Sequence, residues 1–189
     1  MMSKILIGIF IMGCLAYAVL FSLLSSLNTY KIEGDKVIYQ YFDNSKWKTQ
    51  IREVAGADSK SFKAFSFYKG MYGKDANQGY FEGRPIEGSN GKSFRVLDHS
   101  KSLSRDNQAV FYKERLLSND PSHFQALGGA YFKDSSKVFY GWKIVENADP
   151  SSFEVTDEVS GKAKDKNYTY KFGDIISSVS PIPHQAVSR

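Results

Sequence analysis

A self-similarity with a period near 30 residues constrains this chain more than any other feature. A basic residue followed by aspartate occurs at Lys74-Asp75, Arg105-Asp106, Lys133-Asp134 and Lys164-Asp165. The aspartates are 31, 28 and 31 residues apart (75 to 106, 106 to 134, 134 to 165). Five residues after each stands an aromatic ring, Tyr80, Phe111, Phe139 or Tyr170. Eleven after each stands an aliphatic residue, Ile86, Leu117, Val145 or Ile176. Self-similarity at such a period means stacked supersecondary units that bury their apolar faces against their neighbours.

A second landmark keeps step with the first. Asp58, Asn90, Asp120 and Asp149 each precede a phenylalanine by four residues (Phe62, Phe94, Phe124, Phe153), and Pro121 and Pro150 directly follow two of them. Aspartate or asparagine at an N-cap, with proline at the first helical position, opens a helical turn. The expectation is a short capped helical turn in each unit, with the four phenylalanines in equivalent buried positions.

Residues 130–157 read as one complete unit. Residues 130–133 form a strand and 134–137 a turn of residues that bond their own backbone. Residues 138–140 return, Gly141-Trp142 bends the chain, and Ile144-Val145 continues it before the capped turn at 149–153. Glu154 then starts the next pass. This is an antiparallel meander of hairpins. The load of 12 Tyr and 14 Phe agrees, because aromatic rings suit pleated, half-buried surfaces. The first unit is irregular, with an insertion at residues 44–49, and the last lacks a standard cap, as terminal units of a stack do.

The N-terminus is of a different kind. Residues 5–27 run for 23 positions without a charge. At about 1.5 Å per residue a helix of that length spans a hydrocarbon core of about 30 Å. A cleaved signal has an apolar stretch of only about 7–15 residues. The reading is a retained signal-anchor, with Lys4 on the cytoplasmic side and the rest of the chain outside. The alternative is a lipoprotein acylated at Cys14, since Ile11-Met12-Gly13-Cys14 has the outline of a lipobox, although the residues after Cys14 stay apolar. The organisation expected is therefore a signal-anchor transmembrane helix at 1–27, a β-repeat domain at 28–178 and a disordered tail at 179–189. The fold class expected is all-β.

Cys14 is the only cysteine, so the repeat domain has no disulfide and no thiol nucleophile. Of 25 Lys and Arg, 24 follow residue 27, against all 20 acids, with the signs interleaved. No basic block is present to read as a nucleic-acid surface. His99, His123 and His184 lack ligand-spaced neighbours, and no Gly-x-Ser-x-Gly elbow or phosphate loop occurs. Asp75-Ala76-Asn77 and Asp165-Lys166-Asn167 have the look of calcium-loop fragments, but the lysine beside each aspartate favours a side-chain-to-backbone turn instead. No catalytic, cofactor or metal residue is assigned, no cofactor is expected, and the binding residues stay unknown. The neighbouring rings Tyr80-Phe81, Phe111-Tyr112 and Phe139-Tyr140 should place one ring in the core and the other in solvent.

Asp165-Lys166-Asn167-Tyr168-Thr169-Tyr170, Arg105-Asp106-Asn107 with Val110-Phe111-Tyr112, and Ala148-Asp149-Pro150-Ser151-Ser152-Phe153 resemble the DKNYY family of bacterial exported proteins. The resemblance covers residues 30–178 and departs from the pattern at Gly79, where other units have Val110 and Val138, and at Asn90-Gly91, where others have Asp-Pro. It implies a β-rich repeat domain in the bacterial envelope and carries no molecular function with it. The functional expectation is a non-enzymatic protein of the inner membrane, single-pass, held by residues 5–27. Its periplasmic domain would bind another envelope protein through a β-repeat surface. The alternative is an immunity protein that neutralises a toxin acting in the periplasm.

Overall fold

The repeated turns determine where strands can start and stop, and every strand is consequently short. The computed structural model describes residues 28–65, 70–98 and 100–179. The expected membrane segment with Cys14, the two histidines His99 and His184, and the tail from residue 180 lie outside the described residues. Among the described residues no helix is long and apolar enough to cross a membrane.

The chain divides into two units at His99 and Ser100. The first contains β1 (Thr29–Glu33), β2 (Lys36–Asp43), β3 (Lys48–Glu53), β4 (Lys63–Ala64), β5 (Tyr72–Lys74), β6 (Gly79–Phe81), β7 (Arg84–Pro85) and β8 (Arg95–Asp98). The second contains β9 (Leu103–Arg105), β10 (Val110–Tyr112), β11 (Arg115–Ser118), β12 (Gln125–Gly128), β13 (Tyr131–Lys133) and β14 (Val138–Tyr140). It continues with β15 (Lys143–Ile144), β16 (Glu154–Asp157), β17 (Lys162–Lys164), β18 (Tyr168–Lys171) and β19 (Asp174–Ser178). Strands β1–β3, β4–β7, β12–β15 and β16–β19 form antiparallel meanders in sequence order, and β9, β10 and β11 pair the same way. The described part is all-β.

Turn chemistry explains the repetition. The N–H groups of Glu82, Lys113, Gly141 and Phe172 donate to the carbonyls of Met71, Ser102, Ala130 and Gly161 at 2.6–2.8 Å. These carbonyls recur at the 31, 28 and 31 intervals of the aspartates, so the sequence period is a hydrogen-bond period. At Glu82-Gly83 and Phe172-Gly173 both turn residues have positive φ, 48° and 73° in one, 53° and 86° in the other. That is the tight hairpin turn whose twist matches its strands, and its second position favours glycine.

The ring five residues after each aspartate is buried in all four repeats, none more than 2% exposed. Tyr30, Val37, Tyr39, Val54, Phe62 and Tyr80 make one core in the first unit. In the second unit, Leu103, Val110, Leu117, Phe132 and Phe139 form one core, and Tyr131, Val138, Val145, Phe153, Ala163 and Tyr170 form another. Ile86, Leu117 and Val145 are buried, whereas Ile176 is exposed. It lies on the last strand, with no later described unit to cover it.

Three expectations need correction. The capped segments are single turns, not helical ones, and no helix occurs among the described residues. Ser61 and Ser152 donate to the carbonyls of Asp58 and Asp149, both at 3.2 Å, and the residue after each phenylalanine is already paired in a sheet. Only three residues remain for the turn, too few for a helix. Phe124, unlike Phe62, Phe94 and Phe153, is only half-buried. Phe62 packs directly on Gly73, but Phe132 stands two residues before its aspartate where Gly73 does, and Phe124 stacks outside it at 5.8 Å. Finally, Tyr80 and Phe81 are both buried, so that pair presents no ring to solvent.

Candidate binding surface

The repeated aspartates are structural. Asp75, Asp106, Asp134 and Asp165 are buried. Each uses Oδ1 to accept the N–H groups two and three residues ahead, at 2.7–2.8 Å. Oδ2 of Asp75 accepts the Asp58 N–H at 2.9 Å and the Tyr80 hydroxyl at 2.7 Å. Oδ2 of Asp165 accepts the Asp149 N–H at 2.8 Å and the Tyr170 hydroxyl at 2.7 Å. Where the ring is Phe139, the Ser118 hydroxyl donates to Asp134 Oδ2 at 2.6 Å and accepts the Asp120 N–H at 3.0 Å. Burial pushes the Asp75, Asp134 and Asp165 carboxyls upward, but these donors together outweigh it and hold them below the ordinary carboxylate range. The side-chain-to-backbone turn is thus the geometry at both of the calcium-like fragments.

His123 is the described histidine, and its surroundings contain serine and aspartate. Its Nδ1 lies 2.8 Å from Asp120 Oδ1 and 3.3 Å from Ser122 Oγ, while the Ser135 hydroxyl donates to Asp120 Oδ2 at 2.5 Å. A catalytic triad needs the carboxylate on one ring nitrogen and the nucleophile on the other. Here both meet Nδ1, on an exposed turn. The cluster is a cap, and its hydrogen bonds, Ser135 foremost and His123 next, hold Asp120 well below its ordinary value. Among the described residues no group of three or more His, Cys, Asp or Glu could hold a metal ion.

An open groove of about 590 Å³ in the second unit brings large apolar side chains together at the surface. Its wall is built from the last hairpin turns and last strands of two successive meanders: Tyr140, Trp142, Lys143, Ile144 and Glu146 from one, Phe172, Gly173, Asp174 and Ile175 from the next. Trp142 is 55% exposed and Phe172 is 48% exposed. Tyr140 lies beneath, 4.8 Å from the Tyr131 ring and 6.1 Å from Phe172. The floor is tied down because Gly173 N–H donates to the Tyr131 hydroxyl at 2.9 Å and that hydroxyl donates to the Gly161 carbonyl at 3.0 Å. A side chain at Gly173 would begin 2.7 Å from Tyr140 Cβ, so the close approach requires glycine. The Arg115 guanidinium covers one face of Trp142 at 4.9 Å from the ring centre, and Lys171 Nζ lies 5.6 Å from that of Phe172.

Strand alternation does not reveal these rings, because they occupy turns. The available signal is that Trp142 and Phe172 stand where the earlier repeats have Gly83, Glu114 and Glu82, Lys113. Both rings stay about half exposed at these turn positions, so core packing alone does not account for them. An apolar floor edged by Arg115, Lys143, Glu146 and Asp174 has the composition of a protein-binding patch, aromatic at the centre and charged at the rim.

Comparison with known proteins gives one match. The profile described as DKNYY family matches residues 30–174. No curated protein and no solved structure matches the chain.

Proposed function

Because the chain belongs to the DKNYY family across residues 30–174, we propose that it is a non-enzymatic envelope protein, anchored by residues 5–27, whose repeat domain binds another protein through the Trp142–Phe172 groove. The 23 uncharged residues support the anchor, with the repeat domain on the periplasmic side of the inner membrane. The observation that carries the binding role is the exposed Trp142, stacked by Arg115 and set beside Phe172 over a fixed floor. Tryptophan, tyrosine and arginine contribute most of the energy at protein interfaces, and they do so from preformed pockets that exclude water.

The test is site-specific photo-cross-linking in the native host. A photoreactive residue replacing Ile144 should give one discrete protein adduct, lost when Trp142→Ala or Phe172→Ala is added and retained with Lys60→Ala in the first unit. An adduct pattern indifferent to all three substitutions would remove the groove from the binding role.

A further inference from the structure

The geometry points to the tip of the β2–β3 hairpin as a membrane-docking element that rests in the lipid headgroup layer beside the anchor. This rests on the anchoring proposed above and adds to it a surface of the folded domain.

The apolar segment at residues 5–27 leads directly into the first strand of the described domain. Its last residue, Leu27, is one position before Asn28, whose Oδ1 accepts the Phe42 N–H at 3.1 Å. The chain therefore enters the described domain alongside the far end of β2. In the register of this sheet Thr29 faces Gln40, and the tip pair Asp43 and Lys48 lies three residues further on, roughly 10 Å at the rise of a strand. Any membrane crossed by residues 5–27 is consequently within reach of the tip and away from the opposite end of the sheet.

The two ends differ in chemistry. The tip carries Trp47, 57% exposed at φ 50°, edge-on to the Phe42 ring at 5.4 Å. Lys46 and Lys48 flank it, against the single carboxylate of Asp43. That carboxylate accepts the Ser45 hydroxyl at 2.6 Å and the N–H groups of Ser45 and Lys46 at 2.9 and 3.3 Å, which fix the loop. The other end carries Glu33, Asp35 and Glu53 against Lys36. Indole rings partition to the headgroup level, and lysines beside them reach lipid phosphates. The aromatic, net basic end lies nearest the anchor, and the acidic end points away from it.

The experiment uses the full chain with Trp142→Phe, which leaves Trp47 as the remaining indole. It is reconstituted in phosphatidylcholine–phosphatidylglycerol vesicles, with or without bromine on the acyl carbons nearest the headgroup, and vesicle flotation is run alongside. Brominated vesicles should abolish most of the Trp47 emission, and adding Lys46→Glu with Lys48→Glu should restore it while flotation is unchanged. A chain that floats with the vesicles but emits equally in both overturns the docking and leaves the anchor standing. A chain that fails to float overturns both.

Discussion

The Tyr170 hydroxyl donates to Asp165 Oδ2 at 2.7 Å, and three repeats earlier Tyr80 makes the same bond to Asp75 at the same length. In each case the ring stands five residues after the aspartate, the carboxylate anchors the intervening turn, and one oxygen also holds the backbone of the preceding cap. A single buried carboxylate thereby joins a turn, a strand and a cap.

Removing that carboxylate should cost much more than removing the ring hydroxyl. Asp165→Ala leaves the N–H groups of Asp149, Asn167 and Tyr168 and the Tyr170 hydroxyl without their acceptor, and should destabilise by more than about 3 kcal/mol. Tyr170→Phe deletes one of four donors and should cost about 1.5 kcal/mol. Phenylalanine already stands at the equivalent position 139. Denaturant unfolding of the detergent-solubilised chain measures both, and equal costs would contradict the network.

The same groups predict how stability depends on pH. The folded pKa values of Asp75, Asp134 and Asp165 lie below the ordinary value of about 3.9, so the unfolded chain takes up protons first as pH falls. Their contribution is present above about pH 4 and is lost as pH drops through the folded values. Tyr80 and Tyr170 are shifted the other way, mainly by burial and then by the carboxylate each donates to. Their contribution holds below the unfolded tyrosine pKa near 10 and is lost as pH rises beyond it. Urea midpoints should form a plateau between those limits, and Tyr80→Phe with Tyr170→Phe should flatten the alkaline side. An unchanged alkaline slope would contradict the assignment.

Phe153 and Phe124 occupy corresponding positions, yet their truncations should differ. Phe153 is 5% exposed between Tyr131 and Tyr170, with ring centres 5.3 Å away on both sides, and Phe153→Ala should cost about 3–5 kcal/mol. Half-buried Phe124 leaves no closed cavity, and Phe124→Ala should cost about half as much. Thermal melts of the two variants give the comparison.

Gly79 should resist the valine that Val110 and Val138 provide at its position. A Cβ at residue 79 would sit 2.4 Å from Phe94 Cε2, with two more atoms of that ring within 2.6 Å. Gly79→Val should destabilise by about 1–3 kcal/mol through overpacking. Adding Phe94→Leu should recover part of that loss, which a double-mutant cycle would measure as coupling.

The local pattern determined much of this architecture. Asp75, Asp106, Asp134 and Asp165, with their rings five residues on, specify turn and returning strand because the N–H groups that Oδ1 accepts lie only two and three positions ahead. The hairpin meander and the all-β class were legible for that reason, as was family membership. The features that escaped depend on residues distant along the chain. Phe124 is displaced because Phe132 fills the place that Gly73 leaves open under Phe62, and Gly79 is required because Phe94 fills the space beside it. Trp142 and Phe172 line one groove only because successive meanders lie side by side, a relation that a 30-residue separation conceals. Local hydrogen bonding repeats with the sequence, whereas packing depends on the volume of whichever side chain arrives from the next sheet. Tertiary structure therefore decided which rings are covered and which remain available to a partner.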